Sequence, residues 1–298
     1  MSTDRPTEAW RDWPLERRER EYSPSSAIGG DYAPYVRDWI ARSEAVRRGF
    51  EVRADLPYGP GLDERFELVP VPGERAAPLL IFLHGGYWQE GSRLASLYPA
   101  AGLVPDGIAF AAVGYRLAPA IDLAGIVDQV CRALARIRDE GAALGIDPAR
   151  VVVAGHSAGA QLAAMALLAE ATAGPTPVAR PRLAGGLLVS GVFELEPLIG
   201  TSIDAPLGLD PTTAQALSPR LLVERTTGPL APVAVTWGEV EPSEFGRQSR
   251  ELAAAWVARG GEATAFEVAA RNHFDIVLGI GDPTTEVGRA ARALLGVR

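Results

Sequence analysis

Val151-Val152-Val153-Ala154-Gly155-His156-Ser157-Ala158-Gly159 is the stretch on which the fold of this chain turns. Its first four residues are apolar, three of them β-branched, and read as a strand buried on both faces. A serine between glycines interrupts that strand, and helical periodicity then runs from 158 to 170. A serine in so tight a strand-to-helix turn takes a strained backbone, and the glycines remove side chains that would collide there. The turn lifts the hydroxyl above a sheet, at the positive end of the following helix. Alone, a Gly-x-Ser-x-Gly match is weak evidence. The strand before it and the helix after it give it weight.

Similar short apolar runs recur on both sides: Leu79 to Leu83, Ile108 to Val113, Leu187 to Ser190 and Val233 to Trp237. Helical periodicity separates several of them, over 122 to 140, through Phe245, Ser249, Leu252 and Trp256, and finally through Val287, Ala291 and Leu294. Alternation of this kind predicts an α/β fold with a mostly parallel, doubly wound sheet. Upstream, Val52 to Leu56 and Phe66 to Val71 alternate polar and apolar residues, as antiparallel strands do. Residues 1–50 read as an N-terminal helical arm packing on the core, with a helix from Asp31 to Gly49 that can pack through Tyr35, Trp39 and Val46. The charged run 16 to 21 mixes both signs and reads as a solvated helical face. One domain is expected over 51–298. Within it, 194–228 breaks the rhythm with prolines and small residues and reads as a small helical cap.

Composition limits the partners. The chain has 298 residues, 47% of them hydrophobic, and a formal net charge of −8, enough for one large core. That balance argues against a phosphate backbone or an anionic membrane as partner. The expected partner is a small-molecule substrate, with a homodimer left open. The single cysteine, Cys131, lies among Leu123, Val127, Val130, Leu134 and Ile137 and reads as a core residue that forms no intrachain disulfide. The chain shows neither an apolar leader nor a run of about 18 apolar residues, so the cytoplasm is the expected location.

A serine nucleophile needs a base, and only three histidines are available. His156 adjoins Ser157 and is expected to point away from its hydroxyl. His84 ends a strand and is expected to hold the loop that follows. His273 lies in a loop after the last strand, Thr264 to Val268, and the chain order of nucleophile, acid and base for such a turn selects it as general base. The acid that orients the imidazole belongs after Val233–Trp237, where Gly238-Glu239-Val240-Glu241-Pro242-Ser243-Glu244 follows. Glu241 is favoured, as a loop position with room to reach inward; Glu239 remains a candidate and Glu194 a remote one. Glu244 reads as a first-turn helix residue. In the loop after Leu79–Leu83, small residues let the backbone approach a substrate. The amides of Gly86, Tyr87 and Ala158 are the candidate oxyanion donors.

That loop, His84-Gly85-Gly86-Tyr87-Trp88, resembles the His-Gly-Gly-x-Trp motif of the arylformamidases (kynurenine formamidases) of the α/β-hydrolase superfamily. Tyr22-Ser23-Pro24, Tyr58-Gly59, Gly114-Tyr115-Arg116-Leu117 and Glu244-Phe245-x-Arg247-Gln248-Ser249 resemble that family's pattern too. The resemblance implies an α/β-hydrolase fold and hydrolysis of an N-formyl aryl amide, N-formyl-L-kynurenine in the family, to amine and formate without metal or other cofactor. It also implies that Glu241 is the acid, where relatives usually carry aspartate. Tyr87 and Trp88 are expected to form an aromatic wall, with Tyr22, Phe193 and Trp237 as neighbours. The family's close relatives include carboxylesterases that share the loop, so hydrolysis of short-chain aryl or alkyl esters is the alternative. A hydrolase fold that binds without catalysis is the reading from another class, and the presence of Ser157, His273 and nearby glutamates argues against it.

Overall fold

The computed structural model describes residues 9–172 and 182–297; of the expected arm, 1–8 lie outside the described residues. One sheet holds eight strands: β1 (Arg53–Pro57), β2 (Arg65–Val69), β3 (Ala77–Leu83), β4 (Ala109–Val113), β5 (Ile146–His156), β6 (Gly185–Val189), β7 (Val233–Val240) and β8 (Ala263–Asn272). Their spatial order is β1-β2-β4-β3-β5-β6-β7-β8. β1 and β2 run antiparallel to their neighbours, and every pairing from β4 to β8 is parallel. This is the mostly parallel α/β sheet that the apolar runs predict. Several strands extend beyond those runs: β5 begins at Ile146, and β7 and β8 continue to Val240 and Asn272. Apart from the buried Ile146 and Gly238, the added residues are half-buried or exposed, and pairing with a neighbouring strand holds them where hydrophobicity does not.

Side chains alternate across the sheet and fill two cores. From β3, Leu79, Ile81 and Leu83 face a core shared with the helices Leu123–Asp139, Ala158–Thr172 and Ser243–Ala258. Leu80 and Phe82 face the opposite core, with the helices Ala33–Gly49 and Glu286–Leu294. The helix Ala158–Thr172 is buried nearly all round, as its central position demands. Cys131 is half-buried on the helix Leu123–Asp139, and burial raises its thiol to about 11.

Between residues 194 and 228 lie short helical turns, including Pro211–Ala216 and Pro219–Leu222. The arm is fastened to this segment and to the helix beyond it. Arg18 donates to the carbonyls of Pro197 and Ile199, Glu19 accepts from Ser202, and Glu21 accepts from Ser243. The charged run from 16 to 21 is therefore only partly a solvated face. Its helix, Leu15–Glu21, buries no residue, but its polar side chains tie down neighbouring loops, which sequence periodicity does not reveal.

Parallel pairing has one consequence for function. The register sets Leu83 beside Gly155, His156 beside Val189, and Val240 beside Asn272. The loops leaving β3, β5, β6, β7 and β8 consequently emerge along one edge, where α/β sheets bind ligands.

Candidate functional site

Ser157 follows β5 with φ +55° and is almost fully buried. Its N–H donates to the Val189 carbonyl at 2.8 Å, which fixes the turn against β6. A Cβ at Gly155 would lie 2.1 Å from the Gly159 carbonyl oxygen, and one at Gly159 would lie 2.1 Å from the Leu83 oxygen. Neither position admits a side chain. A Cβ at Gly85 would come within 3.0 Å of Ser157 Cβ, so the missing side chain there keeps space open beside the serine.

His273 follows β8, and its Nδ1 lies 2.8 Å from Glu241 Oε2, with both side chains buried. The other carboxylate oxygen, Oε1, accepts from Ser190 Oγ at 2.7 Å and from the Gly238 N–H at 2.6 Å. With three donors on an ionised carboxylate, Nδ1 carries the imidazole proton and Nε2 is left with its lone pair. Ser157 Oγ and His273 Nε2 make no hydrogen bond to any described residue, and Ser157 and His273 border the same cavity. Catalytic hydrogen bonds commonly tighten only when substrate binds.

The other candidate acids sit elsewhere. Glu239 is exposed and accepts from the Ala270 N–H at 2.7 Å. Glu194 pairs with Arg247; burial raises its pKa and Arg247 offsets part of the rise. Glu244 lies in the first turn of its helix, buried against Tyr22 and Arg247.

His156 makes no bond to the serine hydroxyl. Its Nε2 is 2.8 Å from the His273 carbonyl; a carbonyl only accepts, so His156 Nε2–H donates. Burial pushes its pKa well below 6.5, which keeps the ring neutral. His84 donates from Nδ1 to the Gly85 carbonyl and stacks on Tyr115, and burial lowers its pKa to about 4.

The loop after β3 runs through three successive left-handed residues, Gly86, Tyr87 and Trp88, at φ +110°, +47° and +61°. The N–H groups of Gln89 and Glu90 fold back onto the Gly86 carbonyl. The amides of Gly86, Tyr87 and Ala158 donate to no described group, and Gly86 and Tyr87 border the cavity.

Three expected aromatic contacts need correction. Trp88 is fully buried behind the loop, and its Nε1 donates to Gln161 Oε1 at 3.1 Å. It anchors the loop to the helix that follows Ser157 and does not border the cavity. Phe193 is also fully buried; its ring lies on Gly191, and its N–H donates to Gln248 Oε1 at 2.6 Å. Trp237 is likewise off the cavity, bonded to Glu267. Tyr22 borders the cavity, but its hydroxyl is held by Glu244 and Gln248. Large aromatics next to a site are often core, and hydropathy does not separate the two.

Sequence reasoning missed Ser190, Phe245 and Tyr98. Ser190, at φ +52°, secures Glu241; its one signal is a small polar residue ending a buried strand. The ring of Phe245 packs 4.7 Å from that of His273. Tyr98, with Trp39, lines the cavity, whose volume is about 320 Å³. Among the described residues, no group of three or more His, Cys, Asp or Glu is arranged to hold a metal ion, and no helix is long and apolar enough to cross a membrane.

Comparison with known proteins adds relatives to this geometry. The family model described as BD-FAE matches residues 68–175. A protein named kynurenine formamidase from Danio rerio is 30% identical over 276 residues, covering 90% of this chain and 92% of that one. A stretch of 130 residues is 35% identical to esterase LipQ of Mycobacterium tuberculosis, covering 41% of this chain and 30% of that one. Among solved structures, a putative thioesterase from Silicibacter sp. TM1040 superimposes with a TM-score of 0.79 at 28% identity, over 92% of this chain and 98% of that one. With near full-length similarity of this kind on the sheet described above, the chain belongs to the kynurenine formamidase family of α/β-hydrolases.

Proposed function

We propose that this chain is a serine hydrolase that cleaves an N-formyl aryl amide, of the N-formyl-L-kynurenine type, into the aryl amine and formate. Ser157 Oγ attacks the formyl carbon while His273 Nε2 takes the hydroxyl proton. The amides of Gly86, Tyr87 and Ala158 stabilise the negative charge on oxygen in the tetrahedral intermediate. That intermediate collapses, the C–N bond breaks, and His273 passes its proton to the leaving amine. Water then attacks the formyl ester on Ser157, again giving a proton to His273. Formate departs and the serine is reprotonated. Glu241 holds the imidazole in the tautomer this sequence requires and stabilises its cationic form.

The observation that carries this reading is that His273, paired with the buried Glu241, borders the same aromatic cavity as Ser157. Purified protein is tested with N-formylkynurenine and 4-nitrophenyl acetate, and with a fluorophosphonate probe on wild type and Ser157→Ala. Turnover of the formamide, with labelling lost in Ser157→Ala, is the expected result. The similarity to esterase LipQ favours a second reading, a carboxylesterase using the same groups on short-chain esters. Ester turnover with no formamide turnover selects that reading. A folded wild-type protein that is never labelled overturns both and favours a non-catalytic binder. The cytoplasm remains our proposed location, with a small-molecule substrate as partner.

A further inference from the structure

Four rings that border the cavity contact one another in a chain, Phe82 to Tyr98 to Trp39 to His156. Trp39 lies 6.3 Å from Tyr98 and 6.1 Å from His156, and Phe82 lies 6.2 Å from Tyr98, between ring centroids. All four border the cavity, and Phe82, Tyr98 and His156 are more than nine-tenths buried. Two of their four side-chain polar atoms are engaged. Trp39 Nε1 donates to the Phe274 carbonyl, and His156 Nε2 donates to that of His273.

Two polar atoms are left over. The Tyr98 hydroxyl has no hydrogen-bond partner among the described residues, and neither does His156 Nδ1. Because Nε2 carries the proton, Nδ1 presents a bare lone pair. It lies 3.1 Å from where a Gly85 Cβ would be, so the absence of that side chain leaves it approachable beside Ser157. Both atoms are open to the cavity rather than sealed inside the protein, so a bound molecule can hydrogen-bond to them.

We propose that Tyr98 and His156 form a subsite for an uncharged, hydrogen-bond-donating substituent on the substrate's aryl ring, such as a hydroxyl, amino or amide group. The substituent donates to His156 Nδ1 and accepts from the Tyr98 hydroxyl, so both unpaired atoms are satisfied at once. A carboxylate fits poorly there, because its oxygens meet the Nδ1 lone pair. No described residue bordering the cavity is Lys or Arg, whereas Glu19 and Glu90 do border it. The neutral state of His156 at ordinary pH follows from its burial. This subsite rests on reading the cavity as the substrate pocket. It adds the chemistry by which that pocket sorts aryl substrates. A site built to hydrogen-bond a substituent discriminates strongly against analogues that lack it.

Calorimetry with amine products tests the subsite without relying on turnover. Wild type and Tyr98→Phe are titrated with aniline, the three aminophenols, 3-methoxyaniline and 3-aminobenzoate. One aminophenol is expected to bind wild type roughly 10-fold tighter than aniline, with 3-aminobenzoate weaker than either. Tyr98→Phe should shrink the preference to under about 3-fold and leave aniline affinity unchanged. A wild type without preference overturns the proposal, as does a preference that survives in Tyr98→Phe. Should that variant not fold, 3-methoxyaniline decides the matter with wild type, since it cannot donate. Binding equal to that of 3-aminophenol, where that isomer shows the preference, overturns the proposal. Turnover of formanilide and the hydroxyformanilides is measured in parallel. Loss of turnover with the binding preference intact sinks the formamidase reading alone, and turnover without preference sinks the subsite alone.

Discussion

Replacing Glu241 by glutamine changes one atom and reverses the polarity of the site. Two donors converge on Oε1: the Ser190 hydroxyl and the Gly238 N–H. A backbone N–H cannot turn round, so the glutamine carbonyl oxygen must take that position. The amide nitrogen then occupies the place of Oε2, facing His273 Nδ1, which is 2.8 Å away in the wild type. An NH₂ group only donates, so Nδ1 must accept and the proton moves to Nε2. The imidazole then has no lone pair to offer Ser157. The variant also lacks the charge that stabilises the imidazolium. At an effective dielectric constant of about 20 and a charge separation of about 4 Å, that is worth roughly 4 kcal/mol, or about a 1,000-fold loss in rate. The tautomeric block acts in the same direction, as it does in Ser-His-Asp enzymes, and together they place kcat roughly 1,000- to 10,000-fold down. Initial rates on 4-nitrophenyl acetate or N-formylkynurenine, whichever is turned over, measure the effect. Near-UV circular dichroism shows whether the variant is folded. Glu239→Gln, altered at an exposed side chain, should stay within about 2-fold. A folded Glu241→Gln that keeps more than about a tenth of wild-type kcat would refute the tautomer argument.

Other expectations follow from the same contacts. His273→Ala should abolish turnover. His156→Ala should leave measurable activity, since it removes a donor to the His273 carbonyl and the proposed substituent contact but no group that moves the serine's proton; equal losses with intact folding would move the base. Trp88→Phe leaves Gln161 Oε1 without its donor, so stability should fall by about 1–3 kcal/mol, and kcat should fall more than KM changes. A raised KM with unchanged kcat would instead return Trp88 to the substrate wall. His84 makes a prediction about pH. Burial holds its folded pKa at about 4, while the unfolded chain takes up that proton near 6.5. Between those values the unfolded state binds more protons, so stability is lost as pH falls from about 6.5 to about 4, by up to about 3 kcal/mol. Urea titrations at pH 7 and pH 5 should show a smaller loss in His84→Gln than in wild type; equal losses would rule out His84 as the source.

The distinction between wall and core is where local pattern stops informing. Trp88 and Tyr87 are adjacent in sequence, yet one ring borders the cavity while the other is sealed against Gln161. Both are left-handed, completing a run of three that begins at Gly86, and the chain reverses there. That reversal depends on backbone angles, which composition does not carry. Tyr98 was invisible for the complementary reason. Its ring neighbours are Phe82 of β3 and Trp39 of the arm, neither of which is near it in sequence.

By itself, the amino-acid sequence determined the alternation of buried strands and helices, the strained Ser157 turn between glycines that nothing larger can replace, and a choice among three histidines. Each is a local matter of periodicity, steric room and scarcity. Tertiary structure alone decided which glutamate meets His273, because Glu239 and Glu241 differ by two residues and their directions depend on how β7 pairs with β8. It also decided that Ser190 braces the acid, and that Tyr98 and His156 leave two polar atoms facing the cavity. Such contacts join strands and loops far apart along the chain, and only parallel packing brings them to one edge of the sheet.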